Sequence, residues 1–194
     1  MINDFTNVGN HPALNFLNTR LIKKDQRIEL LESFTDIECW LDAFGVLPYM
    51  EDLTNLSDQD KSILVTEVLD VRSKLEEMVD HLMVGQLPNH LWVEYMNDKL
   101  RQNAGYDRLI INENKVSIVR SYSARNLVGY FADQTLRLLN DVEHSRIKKC
   151  SSTNCIMYFY DSSRNMSRRW CDVSQCGNRA NASKHYHRNK GTNT

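Results

Sequence analysis

The sequence predicts a mainly α protein: a helical N-terminal domain with one small β-hairpin, then a small, cysteine-rich β-hairpin/helix module at the C-terminus. Three observations carry that prediction. Apolar residues recur at helical spacing through most of the first 143 residues. Four of the five cysteines fall in "CSSTNCIMYFYDSSRNMSRRWCDVSQCGNR", from Cys150 to Arg179. The charge changes sign at the same place: residues 144–194 hold ten Lys/Arg against Asp161 and Asp172, a net of +8, so residues 1–143 carry −9 of a total of −1. A chain of 194 residues has room for one medium domain plus a small module, divided here as 1–143 and 144–194.

Each element follows from local pattern. "HPALNFLNTR" joins an apolar face, Leu14 and Leu17, to polar Asn15, Asn18, Thr19 and Arg20. Ile37, Trp40, Leu41 and Phe44 predict a helix over Thr35–Phe44, with Ser33 or Thr35 as its cap and Gly45 and Pro48 beyond it. Cys39, inside "IECWL", is expected to pack in the core. Ser57 opens the clearest helix, which runs to about Val84. Leu64, Val68, Val71, Leu75, Val79 and Leu82 form its stripe, and Gly85 stops it. Pro88-Asn89 opens the next, through about Gln102, with Leu91, Trp92, Tyr95 and Leu100 as buried candidates. "RLII" and "KVSIV" around "NENK" read as a hairpin. The last helix, Ala124 to about Asp141, carries Leu127, Val128, Phe131, Leu136 and Leu139. No apolar run approaches the roughly 18 residues of a membrane span, so no membrane partner is expected. The N-terminus has an acid where a secretory signal would be basic, so a cytoplasmic, reducing setting is expected.

The cysteine spacing is C-x4-C-x15-C-x4-C, through Cys150, Cys155, Cys171 and Cys176. Two short-spaced pairs suit a tetrahedral site of soft ligands, because each tight turn aims two sulfurs at one centre. About 45 residues bury little core, so such a module needs a cross-link or a metal to fold. One structural Zn2+ is the expected cofactor. Two disulfides would need an oxidising compartment, and an iron–sulfur cluster uses tighter spacings. His185 and His187 are expected at the surface or on phosphate.

Arg164, Arg168 and Arg169 lie on the connection between the cysteine pairs. "CGNRANASKHYHRNK" reads as a short helix that presents Arg179, Lys184 and Arg188. A metal site anchoring the first turn of a basic helix is one way to offer side chains to a DNA groove. Arginine can pair with phosphate or guanine there, so duplex DNA is the expected partner. The plainer reading is that these charges only keep a tiny module soluble, but solubility calls for mixed signs. Trp170, Tyr158 and Phe159 read as the module's small core rather than a stacking platform.

"FYDSSRNMSRRWC" followed by "CGNR" resembles the CGNR-type zinc finger over about Lys149–Arg188. "HPALNFLNTR" looks like the opening motif of the helical ABATE domain that precedes this finger in the same family. The resemblance implies a stress-induced bacterial transcription regulator that binds zinc and DNA. It places the ligands at Cys150, Cys155, Cys171 and Cys176, and Arg164, Arg168, Arg169, Arg179 and Arg188 on the family's basic positions. One departure is Asn181, where the family pattern has a lysine.

The acidic helical domain is expected to sense a small ligand or to form a homodimer. Asn18 and Arg20 are candidates to line a ligand pocket. The competing reading has Asn18 and Thr19 satisfying a helix end and Arg20 paired with an acid. No phosphate-binding glycine loop, H-E-x-x-H or G-x-S-x-G motif is present, and four thiolates leave zinc no open position, so the chain is not expected to be an enzyme. Two other readings compete with the regulator: an adaptor whose basic module docks on an acidic protein, and an enzyme with its site in the helical domain.

Overall fold

The computed structural model of the chain describes residues 5–112 and 115–182. Its helices begin where side chains satisfy the first free backbone N–H groups. α1 (Pro12–Leu17) starts on His11, whose ring accepts from the Ala13 N–H. Pro12 opens it, where a missing N–H costs nothing. α2 (Phe34–Ala43) and α3 (Asp58–Met83) each open on a reciprocal capping box, Ser33 with Asp36 and Ser57 with Asp60. α3 ends at Val84, and Gly85 follows at φ +76°, a left-handed stop that glycine takes without strain. α4 (His90–Gln102) is capped by Asn89, and α5 (Leu127–Asp141) follows a single 3-10 turn. Helical turns take up about half of the described residues.

The core lies where α5 crosses α1, α3 and α4. Phe16, Trp40, Phe131, Leu75 and Met78 are fully buried there, and the Phe16 ring centre sits 4.3 Å from that of Phe131. Gly129 in α5 permits the α4–α5 approach: a Cβ at that position would meet the Asn103 carbonyl oxygen at 1.9 Å.

Among the described residues, three small sheets decorate this bundle. β1 (Arg20–Lys23) and β2 (Gln26–Glu29) form one hairpin. β3 (Met50–Glu51) lies parallel to the end of β5 (Lys115–Ser123), which pairs antiparallel with β4 (Tyr106–Asn112). β6 (Ile147–Lys149) and β7 (Tyr158–Tyr160) form the third sheet. The helical part therefore carries two hairpins and β3, where the sequence suggested one hairpin. The first is hard to read because its turn, Lys24-Asp25, takes φ +51° and +62° without the Asn-Gly signal usual for that conformation.

Two buried candidates face outward. Leu91 is 75% exposed, while Met96 is buried with Trp92, because the stripe of α4 runs one residue out of phase with Leu91. Cys39 is exposed, since Ile37, Trp40 and Leu41 already define the inner face of α2.

Candidate metal centre and the surface it supports

The β6–β7 hairpin delivers the first cysteine pair. The Cys150 N–H donates to the Met157 carbonyl at 2.9 Å, and a tight turn brings the Cys155 N–H to the Ser152 carbonyl at 3.1 Å. The second pair is set by Asp172. Its carboxylate accepts from the N–H groups of Ser174 and Gln175, capping one turn of π-helix (Val173–Gly177) that carries Cys176 inward. The four Sγ atoms all lie within 4.8 Å of one another. Cys155 and Cys171 are 3.6 Å apart, and Cys171 and Cys176 3.7 Å.

Those separations decide between the alternatives. A disulfide holds its sulfurs at about 2.05 Å, and none is formed here. A tetrahedron with Zn–S bonds of about 2.3 Å has edges of about 3.8 Å. The cluster fits one structural zinc ion, held by Cys150, Cys155, Cys171 and Cys176. Bound there, the ion would cross-link the hairpin to the helical turn, with no position left for water. The electrostatics agree. The hydrogen bond shared by Cys155 and Cys171 draws the Cys155 thiol down to about 5, while the same bond and then burial push the Cys171 thiol up. Burial pushes Cys176 up to about 11. Four neighbouring thiolates would repel one another, and a bound divalent cation would remove that repulsion.

Asp161, fully buried, organises the loop between the pairs. Its carboxylate accepts from Lys148 Nζ at 2.6 Å, from the Ser163 N–H and Oγ, and from the Arg168 N–H at 2.9 Å. Burial alone would raise its pKa; these donors overcome burial and hold the carboxyl well below the usual range. Asp161 and Asp172 stand in the sequence only as the two anions of the basic tail, yet each folds a loop. The signal was there: an Asp two residues before a Ser is the pattern of a side-chain-to-backbone turn.

The arginines separate into two kinds. Arg168 lies inside the fold: Nε donates to the Trp170 carbonyl at 3.0 Å and Nη2 to the carbonyls of Val8 and Cys171. Its guanidinium also stacks 4.3 Å from the Phe159 ring centre. Half-buried, it braces the module through these bonds, which leaves it less free than its exposed neighbours to meet a nucleic acid. Arg164, Arg169 and Arg179 are exposed, and none has a carboxylate partner among the described residues. Arg169 lies over Trp170 at 5.2 Å. Lys184 and Arg188, with His185 and His187, lie outside the described residues. Phe159 and Trp170 pack in the module's own core, whereas Tyr158 joins the core of the helical part.

The two parts meet along β7. The Asn18 amide donates to the Tyr158 carbonyl and accepts from the Tyr158 N–H, both at 2.8 Å and both buried. The Gly9 carbonyl accepts from the Tyr160 N–H at 2.8 Å. Successive strand residues point their N–H and C=O groups to opposite sides, so this seam satisfies the edge of β7 that β6 leaves open. Tyr158 Oη donates to Asp80 of α3 at 2.8 Å. Arg20 pairs with Glu29 and, at 2.7 Å, with Glu76, while buried Arg72 bonds Thr19 and Glu29. Asn18 and Arg20 thus both have protein partners.

A closed four-thiolate centre on a cationic module, fused to a mainly helical domain, defines a zinc-finger protein. Family models match both parts. Residues 146–189 match the CGNR zinc finger, and residues 10–142 match the ABATE family, described as "Putative stress-induced transcription regulator". The chain belongs to the ABATE family and ends in a CGNR zinc finger. No curated protein matches it. No helix among the described residues is long and apolar enough to cross a membrane.

Proposed function

We propose that this protein is a cytoplasmic transcription regulator that binds duplex DNA through Arg164, Arg169 and Arg179, with Lys184 and Arg188 extending the same cationic segment. The observation that carries the reading is the exposure of three guanidiniums without carboxylate partners on a surface braced by the metal centre and the Asp161 loop. Unneutralised arginines at fixed positions are what phosphate recognition requires. The helical domain serves as the regulatory half, and its residues 8–18 touch the module directly, so a change in one part reaches the other. In this reading the metal centre is structural, with no open position for a water.

The test is fluorescence anisotropy of the zinc-loaded full chain on random duplex over a salt series. Replacing Arg164, Arg169 and Arg179 together by alanine should lower the slope of log affinity against log salt by about 3, close to one per phosphate contact. Wild type that fails to bind duplex at low salt overturns the DNA reading and favours an acidic protein partner. Arg168→Ala is not part of that test, because its loss removes internal bonds.

A further inference from the structure

We propose that the cleft between α5, β5 and the segment after α2 binds a small planar aromatic carboxylate. This goes beyond DNA binding and does not depend on it. On α5, Tyr130, Asp133 and Arg137 follow at i, i+3 and i+7, so they share one face of the helix. On β5, Arg120 and Tyr122 are two residues apart and share one face of the strand. Phe44 and Tyr49 come from the turns that follow α2. Together these groups line a cleft of about 420 Å³. Small-molecule sites run from roughly 300 to 1,000 Å³, mostly apolar, with a few placed polar groups. A second cleft of about 420 Å³ adjoins the first and shares Phe44 and Tyr130 with it.

Tyr130 carries the argument. It is 8% exposed, with its ring held edge-on by Tyr122 and Phe131. Its hydroxyl has no hydrogen-bond partner among the described residues, although the oxygen is not sealed in the core. A hydroxyl this deep ordinarily finds a partner, and here only the clefts can supply one. Burial raises its pKa, so it stays protonated and offers a donor. Arg137 adds more. It gives only Nε to Asp133, at 2.8 Å, which leaves both Nη groups without a hydrogen-bond partner among the described residues. Arg120 gives Nη1 to Asp107 at 3.1 Å and lies beside the Tyr122 hydroxyl. The lining thus sets two guanidiniums against one carboxylate, that of Asp133, while Asp107 and Asp141 act on the arginines from outside it. The unused groups are mainly donors, standing among aromatic rings. Their complement is a flat ring that packs on Phe44, Tyr49 and Tyr122 and carries negatively charged acceptor oxygens. A cationic ligand of the same shape would meet the two guanidiniums.

The experiment is titration calorimetry of the zinc-loaded full chain, without DNA, against benzoate, 2-naphthoate and biphenyl-4-carboxylate. The best of the three should bind with a Kd on the order of 100 µM, a modest yield for ligands of this size. Its amide should bind at least about tenfold more weakly, and the matching arylmethylammonium more weakly still. Tyr130→Phe keeps the ring and breaks no internal hydrogen bond, so its melting temperature should match wild type, while the Kd for the acid rises about tenfold. Arg137→Gln should bring the acid close to its amide. No binding by any of the three acids up to about 2 mM overturns the proposal. So does an ammonium that binds as tightly as the acid, or an acid whose Kd neither Tyr130→Phe nor Arg137→Gln changes.

Discussion

Replacing Asn18 by alanine tests whether the N-terminal motif is a strap across strand β7. The Asn18 amide supplies both partners of the Tyr158 peptide groups facing away from β6. Alanine leaves that N–H and C=O without partners in a seam closed to water. Each orphaned group costs about 1–3 kcal/mol, so about 2–6 kcal/mol of stability should be lost. For a chain of this length, about 2–4 °C of melting temperature goes with each kcal/mol, giving a fall of about 4–24 °C. The assay is urea and thermal unfolding of the zinc-loaded full chain, followed by far-UV circular dichroism. Asn18→Asp sharpens it. The carboxylate still accepts from the Tyr158 N–H but sets an oxygen against the Tyr158 carbonyl, so a near-isosteric change should be as damaging as alanine. If Asn18 instead served a small ligand, both variants would unfold close to wild type. A loss under about 0.5 kcal/mol in both, the size of an ordinary surface change, refutes the strap.

Asp161→Asn should cost about 2–3 kcal/mol at neutral pH by leaving Lys148 without its charge partner. The Asp161 pKa is lower folded than unfolded, so its contribution is present above the usual carboxylate value near ~4 and is lost as pH falls through the folded value. The gap between wild type and Asp161→Asn, measured by urea unfolding, should therefore narrow towards acid pH. Gly129→Ala drives a methyl group into the Asn103 carbonyl oxygen and should cost at least about 1–3 kcal/mol, read as a fall in melting temperature. A thiol reagent should find one fast cysteine, exposed Cys39, in the zinc-loaded protein, and all five after chelation. Five fast thiols before chelation would contradict the metal centre.

Long elements and the cysteine cluster were legible because their signals are local. The stripe Leu64 to Leu82 with Ser57 and Gly85 at its ends marks α3, and the paired spacing of Cys150, Cys155, Cys171 and Cys176 marks the metal site. What stayed hidden depends on contacts far apart in the chain. Arg168 looks like its exposed neighbour Arg169 in sequence; only the fold reveals that carbonyls of Val8, Trp170 and Cys171 surround it. Asn18 shows no sign of bonding a strand 140 residues away. The β1–β2 hairpin is short, charged and held by Arg72 and Glu29, a pair no local pattern reveals.

The borrowed edge of β7 has a practical consequence for anyone who would dissect this molecule. A fragment beginning near residue 144 would keep all four clustered cysteines, but it would lose Gly9 and Asn18 and bare Ile147 and Tyr158, which belong to the larger core. Such an excised finger should stick to its own kind through the raw strand.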